Sequence, residues 1–173
     1  LYSAILKNNS LLLNIQTIDL LIRYHIWATQ RLTTALEPLS DEDFCKDCGL
    51  FFQSISGTFN HLLLADHLWF SRFYHGFSPI LPLNHILEPD RTALLKRLNQ
   101  SCLQWQSLGT ALNQDLLNSL ISYRSSRGQA LQLPYAATLI HVFNHATHHR
   151  GQITAALTML DYASPELDMI YMF

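Results

Sequence analysis

At 173 residues, 49% of them hydrophobic and only 14% charged, the chain is long enough to bury one core and too apolar to be disordered. A formal net charge of -2, a pI near 6.5 and no run of basic residues leave no electrostatic footprint for nucleic acid. The longest apolar runs are broken by Arg23, His25, Asp66 or His67 well before the roughly 18 residues a membrane span requires, so no membrane partner is expected.

Leu1 to Asn14 reads as an N-terminal extension ahead of one domain covering 15–173. It has one Lys, several Asn and no small-residue cleavage site, which does not describe a signal peptide. Three cysteines are too few for a disulfide framework at this length. Both features make the cytoplasm the expected location. The first long helix runs from about Ile15 to Leu36, with Ile18, Leu21, Ile22, Ala28, Leu32 and Leu36 as its apolar stripe, and Pro38 stops it. Ser40 with Asp43 resembles a capping box for a short turn, and Cys45 to Gly49 is a polar connection. Cys45-Lys-Asp-Cys48 is a CxxC, but with no second pair and no βαβ context these read as ordinary thiols. The second long helix spans about Ser54 to Gly76. Phe59, Leu62, Leu63, Leu64, Leu68, Trp69, Phe70 and Phe73 cover nearly its whole circumference, so it belongs in the middle of the molecule.

Pro79, Pro82 and Pro89 make the next segment an irregular crossover. The third long helix runs from about Asp90 to Leu117, with Leu94, Leu95, Leu98, Cys102, Trp105, Leu108 and Leu112 inward. Ile121 to Arg124 and Gln129 to Leu133, around a turn containing Gly128, predict a small β-hairpin. Pro134 then opens a fourth long helix reaching about Leu160. The expected fold is all-α, a four-helix bundle with one long crossover and a small β-hairpin before the last long helix.

Nine histidines in so weakly charged a chain are where function is to be sought. On the fourth helix, Val142, Ala146, Ile153, Leu157 and Leu160 form the inward sector; His149 falls inside it and His145 at its edge, while His141 and His148 lie toward the flank. His145 and His149, at i and i+4, present two imidazoles one turn apart, the spacing by which helices bind zinc. A third ligand must come from another helix. His61, among Leu62, Leu64 and Leu68, is the strongest candidate; His67 lies on another face and His75 at the helix end. Three histidines leave a coordination position open, as catalytic sites do. The competing reading is a set of hydrogen-bonded core histidines. Asp66 is either an acceptor behind a ligand or the partner of a neighbouring helix, Gln152 either holds water or substrate or packs helices, and Arg150 points away from the pair.

The string His145-Ala-Thr-His148-His149-Arg150-Gly151-Gln152 resembles the HxxxHRGQ signature of the DinB family, within the DinB/YfiT-like metalloenzyme superfamily. Tyr24-His-Ile-Trp27-Ala28 with Arg31-Leu32 is similar to the family's first-helix pattern, and Phe52 to His61 with Asp66 to its second. Leu167-Asp168 and Tyr171 match its closing segment. Leu1 to Asn14 is left unexplained by the motif. The resemblance implies a four-helix bundle, often a homodimer, whose His61, His145 and His149 bind a divalent ion such as nickel or zinc. Gln152, Asp66 and His148 are the residues expected behind those ligands. It further implies a small-molecule substrate and either transfer of a bacterial low-molecular-weight thiol or metal-dependent hydrolysis. The alternative is a stress-associated metal-binding protein without turnover. Surplus apolar surface on the first two long helices separately predicts a homodimer, unless Leu11, Leu12, Leu13 and Ile15 fold back over it.

Overall fold

The computed structural model describes residues 13–173, so most of the expected extension lies outside the described residues. Helix α1 (Ile15–Ala35) begins at Asn14, whose side chain accepts the Thr17 amide proton at 2.9 Å. The short α2 (Asp41–Cys45) is capped by Ser40, which accepts from the Asp43 amide. Only half of the expected capping box forms. The Asp43 carboxylate meets the Ser40 hydroxyl rather than the Ser40 amide, which approaches the Tyr162 hydroxyl instead.

Helix α3 (Ile55–Tyr74) starts at its Ser54 cap, as the sequence predicts. Helix α4 (Arg91–Ala111) ends six residues before the expected Leu117. There Asn113 takes the Leu116 amide proton on its own side chain and opens a separate turn, α5 (Gln114–Leu117). Strands β1 (Leu120–Arg124) and β2 (Ala130–Pro134) pair antiparallel from Leu120 opposite Pro134 to Arg124 opposite Ala130. The last long helix, α6 (Tyr135–Met159), follows directly, and a 3-10 turn, Met169–Met172, closes the chain.

The bundle's neighbours are α1 with α4, α4 with α3, α3 with α6, and α6 with α1. Helices α1 and α3 therefore stand diagonally, as do α4 and α6. This corrects the expected crossover. The proline-rich 75–90 segment joins two neighbours, whereas the diagonal steps are made by 36–54, carrying α2, and by 112–134, carrying the hairpin. Phe59, Leu62, Leu63, Leu64, Leu68 and Phe70 of α3 are buried, each worth about 1.5–3 kcal/mol of transfer free energy. Tyr74, 47% exposed, is the most exposed large apolar side chain of α3. Exposed apolar residues such as Phe51, Phe77, Ile80 and Ile86 lie on connections instead. Among the described residues no helix is long and apolar enough to cross a membrane.

Candidate metal centre

The adjacency of α3 and α6 decides what the histidines do. His61 sits in the second turn of α3, and His145 and His149 on consecutive turns of α6, and the three rings meet at the seam between those helices. His145 Nε2 lies 3.3 Å from His61 Nε2 and 3.1 Å from His149 Nε2. All three ligand nitrogens lie within 4.8 Å of one another. A tetrahedral ion bound by imidazoles at about 2.0–2.1 Å keeps its ligand nitrogens about 3.3 Å apart, so the spacing fits.

The other face of two rings fixes which nitrogen is free. His61 Nδ1–H donates to the Leu83 carbonyl at 3.0 Å, and His149 Nδ1–H donates to Gln152 Oε1 at 2.7 Å. Each proton is thereby held on Nδ1, leaving an Nε2 lone pair aimed at the seam. Burial keeps the rings neutral. It lowers the His61 pKa to about 4 and that of His145 to about 3, with the neighbouring imidazoles adding to the shift at His145. Burial lowers His149 as well, opposed by its bond to Gln152. The two fixed lone pairs, on His61 and His149, both face His145 Nε2, whose single proton can satisfy only one of them well, whereas an ion satisfies all three nitrogens; the donor set fits a divalent ion.

Phe52 covers this cluster, stacked on His61 at 3.9 Å between centroids and 5.6 Å from His149. Its placement depends on a tight turn. The Cys48 N–H donates to the Gln53 carbonyl, Gln53 takes φ 68°, and the Phe52 carbonyl crosses so near α3 that a Cβ on Gly57 would collide with its oxygen. Only glycine leaves room at 57. Gln152 also donates from its amide nitrogen to His148 Nε2 at 3.2 Å, so His148 is tied to the cluster through Gln152 and stands exposed outside it. His67 and His75 are exposed on α3 and at its end.

A family model described as the DinB family matches residues 9–172. The chain belongs to the DinB family. Protein DinB of Bacillus subtilis (strain 168) is 28% identical over 163 residues, covering 88% of this chain and 92% of that protein. YfiT from Bacillus subtilis, described as a probable metal-dependent hydrolase with an unusual four-helix bundle topology, has the same fold at a TM-score of 0.67. It is 14% identical, and the match covers 90% of this chain and 94% of that one. The family match begins inside the segment that the sequence reading set apart as an extension.

This DinB-family chain holds a second buried polar cluster that the first does not touch. Asp66 does not reach His61; it accepts from the His25 ring at 3.3 Å, the Cys102 thiol at 3.4 Å and the Trp105 indole N–H at 3.3 Å. Arg150 donates to His25 Nδ1 at 3.1 Å and to the hydroxyls of Thr29 and Thr147. Each of the four long helices contributes to this network. His25, Asp66 and Cys102 are also close enough to share an ion. Their chemistry argues against it, because Arg150 can only donate, so His25 Nδ1 accepts and its Nε2 carries the proton facing Asp66. The lone pairs of His25 Nδ1 and of both Asp66 oxygens there already meet hydrogens.

Sequence reasoning missed Phe52, the Leu83 carbonyl and His25 as site or core residues. For His25 the signal was present: Ile18, Ile22, His25, Thr29 and Leu32 form one continuous buried stripe on α1.

Two cavities flank the DinB centre. One, about 660 Å³, is lined by Cys45, Phe51, Phe52, His61, Leu83 and His85; the other, about 320 Å³, reaches His61 and His145 from the hairpin side. Leu83 borders both.

Proposed function

We propose that the protein is a metal-dependent enzyme that holds a divalent ion, nickel or zinc, on His61, His145 and His149 and acts on a small molecule. The observation that carries this reading is the convergence of three Nε2 atoms whose rings are neutral and whose opposite nitrogens, on His61 and His149, are bonded away. When bound, a divalent ion supplies Lewis acidity, polarising a carbonyl or lowering the pKa of a water or thiol. The chain's own part is to orient and to exclude. Leu83 and Gln152 fix the ring tautomers, Phe52 shields one face of His61, and the two cavities give a small molecule access from either side. That access supports an enzyme over a metal-binding protein without turnover, in which a closed centre suffices. Hydrolysis is in line with the description of YfiT; conjugation of a low-molecular-weight thiol is the other reaction such a centre serves.

Metal analysis of purified wild type and of single His61→Ala, His145→Ala and His149→Ala variants tests the centre, and unchanged metal content in all three would sink it. A screen of metal-loaded protein with several bacterial thiols and an electrophilic reporter then separates thiol transfer from hydrolysis. The reading includes a homodimer in the cytoplasm; light scattering at micromolar concentration returning a mass near the 19.8 kDa of one chain rejects the dimer.

A further inference from the structure

The smaller of the two cavities ends at an arginine with nothing to bind. Arg72, in the last turn of α3, is 7% exposed, and its Nε is buried with no hydrogen-bond partner. No described residue forms an ion pair or hydrogen bond with its guanidinium, and no acid lines the cavity it shares. The other deeply buried arginine, Arg150, also has an unpartnered Nε, but both of its terminal nitrogens are bonded, to three side chains between them; those of Arg72 have no such partners.

Arg72 is nevertheless held firmly. Its guanidinium lies 4.5 Å from the Trp69 ring centroid and 4.9 Å from that of Tyr123, so two aromatic faces support it while its N–H groups stay free. Its Nε is shut off from water while its terminal nitrogens remain accessible, and a cation so largely buried is normally paired with an anion. The missing partner is what a ligand would bring.

The cavity's shape says where that ligand's other end lies. His61, Ala65, Leu68 and Arg72 follow one face of α3, about 16 Å of helix rise from first to last. Side chains of a helix lean toward its N-terminus, which brings the Arg72 head back toward His61. His141 and His145 of α6 line it as well, together with Ser125 and Ser126 of the hairpin turn. Between the two ends the lining is apolar, from Leu64, Leu68 and Trp69.

We propose that this groove binds a substrate carrying a carboxylate, which Arg72 takes in its guanidinium fork while an apolar chain runs to the reacting group at the histidine centre. The planar fork, held against the adjacent Trp69 and Tyr123 rings, matches a planar two-oxygen anion. This assignment rests on the proposed function for the location of the reacting group, but the carboxylate end stands on Arg72 alone.

The test separates the two. Zinc-loaded wild type is titrated calorimetrically with 6-mercaptohexanoate and its neutral twin 6-mercaptohexan-1-ol, and zinc-free protein with hexanoate, hexan-1-ol and inorganic phosphate. The carboxylates are expected to bind about tenfold or more tightly than the alcohols, the factor a charge-assisted hydrogen bond supplies. Arg72→Gln should abolish that preference with zinc content unchanged, and Arg72→Lys should keep part of it and serve if the glutamine variant fails to fold. Equal binding of acid and alcohol, or tighter binding of phosphate than of hexanoate, overturns the carboxylate site and leaves the metal centre standing. A protein that takes up no zinc yet prefers hexanoate in an Arg72-dependent way would instead reject the metal reading and keep the anion site.

Discussion

Two buried histidine clusters lie within one bundle, and they differ in where their protons point. Around Asp66, hydrogens from His25, Cys102 and Trp105 converge on a carboxylate, and Arg150 closes the network from the far side of His25. Around His145, two fixed Nε2 lone pairs, of His61 and His149, converge on a third ring that has at most one proton to offer them. Proximity of ligand-type residues is the same in both, so proximity alone does not make a metal site. What distinguishes them is an unmet demand for positive charge, set by groups one bond farther out: a carbonyl and an amide oxygen in one cluster, a guanidinium in the other.

The contrast is broken most severely at Asp66. Asp66→Ala removes the acceptor for three donors and leaves Arg150 without a nearby anion, and a loss of about 3–5 kcal/mol in urea unfolding is expected, with metal content per folded molecule retained. A loss of metal as large as the loss of stability would show that the clusters are coupled. His145→Ala should do the reverse. Metal affinity is expected to fall by more than about 100-fold, beyond the range for a residue behind the ligands, while the metal-free protein loses far less stability than Asp66→Ala does.

Gln152→Leu sharpens the comparison at smaller cost, since it leaves all three ligands in place and removes only the acceptor that holds the His149 proton on Nδ1. Affinity should drop by about 10- to 100-fold in a competition titration with a chelator, and an unchanged value would show that helix packing fixes the ring by itself. Acid probes the same rings without a mutation. In the unfolded chain His61 and His145 take up protons near pH 6.5, but in the folded protein only near 4 and 3, so the unfolded state binds more protons between those values. Stability of the metal-free protein is therefore intact above about pH 6.5 and falls as pH drops toward 4. Chemical unfolding of wild type and His145→Ala at pH 7 and pH 5 checks this: the wild-type decline should be the steeper, and parallel declines would assign it to other groups.

Much of this was legible in the sequence because periodicity reports on helix faces. The inward sector of the last helix put His149 inside and His145 at its edge, and the apolar girth of α3 put His61 below the surface, where the structure has them. Other features leave no periodic trace. Leu112, Leu116 and Leu117 continue an apolar pattern straight through the break after Ala111, and only the capping chemistry of Asn113 marks it. The Leu83 carbonyl belongs to an irregular segment, and a backbone oxygen has no residue type to betray it. Phe52 reaches His61 through a turn whose left-handed residue is Gln53 rather than the glycine such a turn advertises. Asp66 was visible as a buried acid, but its partners come from two other helices, and one-dimensional spacing does not choose between them and His61.

His61 and His145 are 84 residues apart in the chain and meet across the seam of α3 and α6. An ion shared between them would be a removable staple on that seam, and the folded state would then be stabilised by mass action, by about 2.7 kcal/mol at a free concentration one hundred times the dissociation constant. The lifetime of the protein against proteases would become a readout of metal supply: molecules made when the ion is scarce would open more often along α3 and α6 and be degraded first.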